Sequence, residues 1–331
     1  MAAKRIEYID IAKALLILCL LYGHMVMVAR LQGFEDATHT NLVKVTRIYA
    51  TFFMQAFFLI TGLCSSFNKK FGQYLWNNTK TILIPGVTLV IIDRYLYNSL
   101  PGNPFEHTPT AIEWLTTGGP WFIYALFEAK LIYWAINKLA AKWQLLIICP
   151  LAIICLALAR YRITENYLWY QHTLMMLPYL CFGNLAKKYM EKVDSILPKV
   201  AIAGGLLLLV EYIANIPMPH LDYDVSVSMF SFPVHVVNVF AGTFFILWVS
   251  KLIGKNQVLL SIGKGTLLIY LMNECVLKAV LQMLSPVYDA ESTVACISFY
   301  VATYVIVVVI FYILIRVVYG TKYLNWIVGK Y

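Results

Sequence analysis

The sequence predicts an all-α, polytopic integral membrane protein, and three observations lead there. Of the 331 residues, 61% are apolar and 13% charged, where soluble domains carry roughly 25% charged residues. Mean hydropathy is +0.72. The apolar residues also come in unbroken runs close to the roughly 20 residues that a helix needs to cross a bilayer. Because these runs do not alternate with polar residues, a transmembrane β-barrel is excluded. The same composition excludes a soluble enzyme, a disordered scaffold and a secreted disulfide module. The chain reads as a single transmembrane domain over residues 1–331.

Ten segments have the length and composition of spans: 9–30, 48–67, 80–98, 119–137, 143–159, 172–188, 199–214, 233–251, 264–284 and 294–318. The first follows Lys4 and Arg5, as a signal peptide would. Asp10 and Lys13 interrupt it and no small-residue cleavage site follows, so it is expected to be a retained anchor helix. The second has no charge between Ile48 and Phe67, and the tenth none between Ser292 and Ile315. The third opens at Lys80 and the fourth beyond Gly118, Gly119 and Pro120, while the fifth and seventh are short. Pro101, Gly102 and Pro104, Pro217 and Pro219, and Ser285 and Pro286 mark turns between spans. Segments 31–47, 99–118 and 215–232 are expected to be loops, the first two as lids.

The net charge of +9 comes from 26 Lys+Arg against 17 Asp+Glu. With an inside N-terminus, Lys4, Arg5, Lys69, Lys70, Lys80, Lys138, Lys142, Lys187, Lys188, Lys192, Lys199, Lys251, Lys255, Lys264, Arg316, Lys322 and Lys330 fall on the cytoplasmic side. Only Arg30, Lys44, Arg47, Arg160 and Arg162 fall outside. This asymmetry predicts cytoplasmic termini and explains the basicity by topology and anionic lipid, with no nucleic-acid partner. The seven cysteines lie in apolar runs without a CxxC and read as small core residues. No histidine pattern has metal-ligand spacing.

Ionisable groups inside spans are costly, so each is a functional candidate. At 100° per residue, Asp10, Lys13 and His24 share one face of the first helix. Lys13 and His24 are eleven residues apart, about 16 Å along the axis. A phosphate-rich donor head could rest at Lys13 and present its reactive end to His24, an imidazole suited to taking a hydroxyl proton. The same spacing also fits an interfacial Asp10–Lys13 pair with His24 as a packing residue.

The stretch Arg5-Ile-Glu-Tyr-Ile-Asp10-Ile-Ala-Lys13, continuing to Leu21-Tyr22-Gly23-His24, resembles the opening of the membrane acyltransferase 3 family, particularly its fucose 4-O-acetylase-like branch. The family pattern is a basic residue, ten others, then His; Lys13 stands where Arg is commoner. Phe52 to Gly62 is similar to the second-helix signature, with Gln55-Ala56 and Thr61 as departures. Lys80 with Ile84-Pro85 resembles the entry of the third helix, and Pro120-Trp121-Phe122 the start of the fourth. Ile262 to Leu271 is similar to the ninth, but Asn273 and Glu274 stand where many members carry His.

The resemblance implies an O-acyltransferase that takes an acyl group, usually acetyl, from cytoplasmic acetyl-CoA. The acceptor would be a hydroxyl of a sugar or lipid-linked glycan at the inner (plasma) membrane. It implies no permanently bound cofactor. His24 would be the catalytic base or acyl relay, Lys13 would take part in catalysis by orienting the donor phosphates or holding the site's charge balance, Lys80 would lie toward those phosphates, and Asp10 would be structural. Lys80, with Lys69 and Lys70, is also accounted for by topology alone.

Among the remaining candidates, Asp93, Trp121 and Glu128 are placed toward the acceptor, and Glu128 is also the spare carboxylate for orienting an imidazole. Arg94 is expected to snorkel, and Glu274 and Lys278 to pair within one helix. Glu211 and His172 read as interfacial. Two other functions remain open on sequence: a secondary transporter or flippase using Lys13, His24, Asp93 and Glu274 as a pathway, and a structural subunit of a glycan-assembly complex.

Overall fold

The computed structural model describes residues 7–101, 110–116, 120–160, 169–219 and 230–330. Lys4, Arg5, His107, Arg162, His220 and parts of the 99–118 and 215–232 connections lie outside these residues. Among the described residues there is no strand. The helices are α1 (Glu7–Leu31), α2 (Ala37–Ala50), α3 (Phe53–Cys64), α4 (Phe71–Asn78), α5 (Ile84–Ser99), α6 (Ala111–Thr116) and α7 (Trp121–Ile136). They continue with α8 (Ala141–Arg160), α9 (Trp169–Ala186), α10 (Met190–Ile213), α11 (Phe232–Ile253), α12 (Gln257–Lys264), α13 (Thr266–Leu284) and α14 (Thr293–Gly320).

Each of the ten apolar segments read from the sequence coincides with a helix. Among the described residues, seven stretches are long and apolar enough to cross a bilayer: Glu7–Leu31, Ala37–Cys64, Phe71–Ser99, His172–Ile213, Phe232–Ile253, Thr266–Val287 and Thr293–Gly320. His172–Ile213 takes in two of the segments, joined by the tight turn Lys187–Tyr189. Two boundaries depart from the sequence reading. The third segment begins at Phe71 instead of 80, because a five-residue π-helical turn, Thr79–Leu83, carries α4 into α5 without a break. The expected loop at 31–47 contains α2.

The N-terminus of α2 shows why that segment folds. Gly33 turns the chain at φ +83, a backbone angle that disfavours other residues. Asp36 then accepts the N–H of His39 at 2.7 Å, and the His39 ring bonds back to the Val26 carbonyl at 3.0 Å. The cap was present in the sequence as an Asp, but the mixed polarity of Thr38 to Arg47 hid the helix behind it.

The chain divides into two compact units. One comprises Met1–Arg47, Ile84–Pro120 and Lys255–Tyr331; the other comprises Ile48–Leu83 and Trp121–Gly254. In the first, α1 packs on α12 and α13, and α13 on α5 and α14. Gly263 of α12 lies so close to Asp10 of α1 that a β-carbon would strike the Asp10 carbonyl. Tyr304 of α14 donates to the Leu18 carbonyl at 2.9 Å. In the second unit, α9 packs against α3, α7 and α8, while α11 packs against α10 and α3. Small residues set these spacings, as expected where lipid supplies little hydrophobic drive between helices.

Asp36, in the connection between α1 and α2, provides a pH-dependent tie. Burial opposes its charge, but the Tyr288 hydroxyl at 2.7 Å and the N–H groups of His39 and Thr38 outweigh that and hold its carboxyl below the usual range. A carboxyl lowered in the folded state stabilises fully above its unfolded value, roughly 3.9, and that contribution fades as pH falls through the lower folded value. Tyr288→Phe is expected to destabilise the protein by about 1 kcal/mol at pH 7. The gap from wild type should close below about pH 4, followed by thermal denaturation in detergent. A gap independent of pH would reduce Tyr288 to packing.

Candidate active site

Helix α1 runs unbroken through Asp10, Lys13 and His24, so the separation of Lys13 and His24 along the axis is about 16 Å. At its start, Lys13 Nζ lies 3.4 Å from Asp10 Oδ1. Asp10 is buried and Lys13 is partly exposed, so the pair sits at the edge of its unit. Eleven residues further on, His24 meets α13.

The polar side chain beside the His24 ring is Asn273, which precedes Glu274 on α13. Nδ1 of His24 and Oδ1 of Asn273 are both enclosed, and neither completes a hydrogen bond, although the two side chains adjoin. The Asn273 amide nitrogen is already committed to the Tyr270 carbonyl at 2.6 Å. That leaves its oxygen as the group available to a protonated Nδ1. Glu274 in turn accepts from Arg94 of α5 at 2.5 Å.

Arg94 is the hub of a buried polar cluster. Its Nη2 is also 2.5 Å, and its Nε 2.9 Å, from Asp93 Oδ2. The other oxygen, Asp93 Oδ1, accepts the backbone N–H of Cys275 at 3.1 Å. The guanidinium carbon lies 4.7 Å from the centre of the Tyr97 ring and 4.6 Å from that of Trp114 of α6. Lys278, fully buried, donates to the carbonyls of Tyr97 and Leu100 at 3.2 and 3.3 Å. Two carboxylates thus accompany two cations, the balance that a low-dielectric interior requires.

This arrangement corrects two expectations. Arg94 does not snorkel, being 5% exposed. Glu274 and Lys278 do not pair along α13, because Arg94 from α5 takes the carboxylate and the end of α5 takes the ammonium. The i, i+4 rule describes an isolated helix, and a neighbouring guanidinium offering a charge-assisted bond displaces it. Asp93 has both oxygens engaged and enters the site through Arg94. Tyr97 and Trp114 were not singled out in the sequence, where aromatic residues are abundant.

The second unit carries Lys80, Trp121 and Glu128. Trp121 is 5% exposed and stacks on His172, with ring centroids 4.1 Å apart and planes at 22°. The neighbour of His172, Thr173, donates to Glu128 at 2.8 Å. These pairings tie α7 to α9, and His172 was read from the sequence only as interfacial. Lys80, in the π-helical turn, lies 5.6 Å above the Trp76 ring.

Ionisable and amide side chains gathered among apolar helices mark this part of the bundle as a candidate functional site of a membrane protein. The family model described as an acyltransferase domain, acyltransferase 3, matches residues 6–316. The chain belongs to that family and is a multi-pass membrane acyltransferase. Neither the curated proteins nor the solved structures contain a match to it.

Proposed function

We propose that the protein transfers an acetyl group from cytoplasmic acetyl-CoA to a hydroxyl of a sugar or cell-surface glycan. In this reading it acts at the inner (plasma) membrane as one acyltransferase domain with cytoplasmic termini. The observation that carries the proposal is His24 beside Asn273 of α13, eleven residues along an unbroken helix from Lys13, with Glu274 the next residue on α13. The first-helix pattern supports the fucose 4-O-acetylase-like branch.

In this reading Nδ1–H of His24 is directed at the Asn273 oxygen, which leaves Nε2 as the base. Nε2 takes the acceptor's hydroxyl proton as its oxygen attacks the thioester carbonyl; the C–O bond forms and the C–S bond breaks. The proton then passes to the departing thiolate, and Glu274 stabilises the imidazolium in between. Lys13 attracts the donor phosphates, and Asp10 holds Lys13. If His24 instead receives the acetyl group first, acetylated protein accumulates without acceptor.

The test is thermal stability of detergent-purified protein on titrating acetyl-CoA, followed by mass spectrometry for free CoA with L-fucose offered as acceptor. Stabilisation of wild type together with CoA release is expected. A well-folded protein that no acyl-CoA stabilises would refute the reading and favour transport.

A further inference from the structure

We propose that Arg94 is a positioning residue for the transfer reaction, acting by fixing Glu274 on α13, the helix that packs on α1. The inference rests on His24 being the proton acceptor proposed above. Glutamate carries three side-chain torsions, and an unpaired carboxylate in an apolar bundle would turn toward whatever polar group it could reach. Here one guanidinium fixes it. Arg94 bonds Glu274 and Asp93 at once, while Asp93 bonds the Cys275 N–H, the backbone position immediately after Glu274. Helix α5 therefore grips both the side chain of Glu274 and the backbone next to it.

Two further contacts stop the guanidinium from rotating away. The rings of Tyr97 and Trp114 lie against it, and one turn beyond Glu274, Lys278 ties α13 to the carbonyls of Tyr97 in α5 and of Leu100 just after it. The charged and titratable groups around Glu274 are Arg94, Asp93 and Tyr97 from α5, His24 from α1 and Lys278 on its own helix. Among them only Arg94 has a planar fork that can serve two carboxylates in one plane. Arg94 touches no reacting atom in this scheme. Its effect reaches the reaction through Glu274.

The experiment measures the rate at which diethyl pyrocarbonate modifies His24, by peptide mass spectrometry on the full-length detergent-purified chain. Wild type, R94M, R94K, E274Q and R94M/E274Q are compared. This readout needs neither donor nor acceptor, so it stands even if acetyl transfer is not the reaction. R94M and E274Q are each expected to change the His24 rate about threefold or more in the same direction, and the double variant no further than either single one. R94K keeps the charge but loses the fork, and its rate should lie between wild type and E274Q.

In the transfer assay the Arg94 variants should lower kcat for CoA release and leave the KM for acetyl-CoA unchanged. A wild-type His24 rate in R94M, or multiplying effects in the double variant, would overturn the inference. Should R94M fail to fold, R94K alone decides: a wild-type rate there, with E274Q altered, overturns it too. Loss of CoA release from every form with the labelling pattern intact would remove the transferase reading and leave the positioning role.

Discussion

His24→Ala is expected to lower acetyl transfer by roughly 10²- to 10⁴-fold, the range that a positioned general acid–base contributes. Stabilisation by acetyl-CoA should persist, because the donor's phosphates are assigned to Lys13, some 16 Å away along α1. The substitution removes a part-buried ring whose Nδ1 has no completed hydrogen bond, so the fold should tolerate it well. His24→Gln keeps an amide for Asn273 to bond but supplies no base, and it should be as inactive as alanine. CoA release measured beside the thermal midpoint separates these possibilities. A fully active His24→Ala would move the chemistry elsewhere in the bundle and end the assignment.

Gly183→Leu is expected to be the most damaging single change in the second unit. Gly183 of α9 and Gly62 of α3 face each other's helices so closely that a β-carbon on Gly183 would strike the Leu59 carbonyl. One on Gly62 would strike that of Leu180. The obstacle in both directions is backbone, which cannot rotate aside as a side chain does. The two helices must therefore separate, at a cost of at least about 3 kcal/mol, the upper end for overpacked cores. Aggregation on size-exclusion chromatography and a large fall in thermal midpoint should follow. Gly72→Leu, with nothing within 4 Å of its added β-carbon, is the control and should behave as wild type. Equal stability of the two variants would mean that α3 and α9 are not held at this spacing.

What could be read directly from the chain was local. An unbroken apolar run determines a helix, because a backbone in lipid must satisfy its own hydrogen bonds. All ten runs accordingly coincide with helices. The shared face of Asp10, Lys13 and His24 was equally legible, since helical periodicity alone fixes it. The departure at Asn273 and Glu274 was visible as well, though not its meaning.

Tertiary structure alone decided which charge meets which. Arg94 and Glu274 are 180 residues apart in sequence, and nothing in either span's own periodicity points to the other. The sequence offered Glu274 a partner four residues along its own helix and offered Arg94 an exit toward water. Packing of α5 against α13 replaced both, because a buried guanidinium between two carboxylates satisfies more charge than either local arrangement does. Glu128 shows the same division: the sequence identified it as a spare carboxylate, and the fold gave it the Thr173 hydroxyl. The helices and the face of the candidate base were written in the sequence because they depend on neighbours along the chain. The carboxylate and amide that complete the site depend on contacts between helices, which only the folded bundle creates.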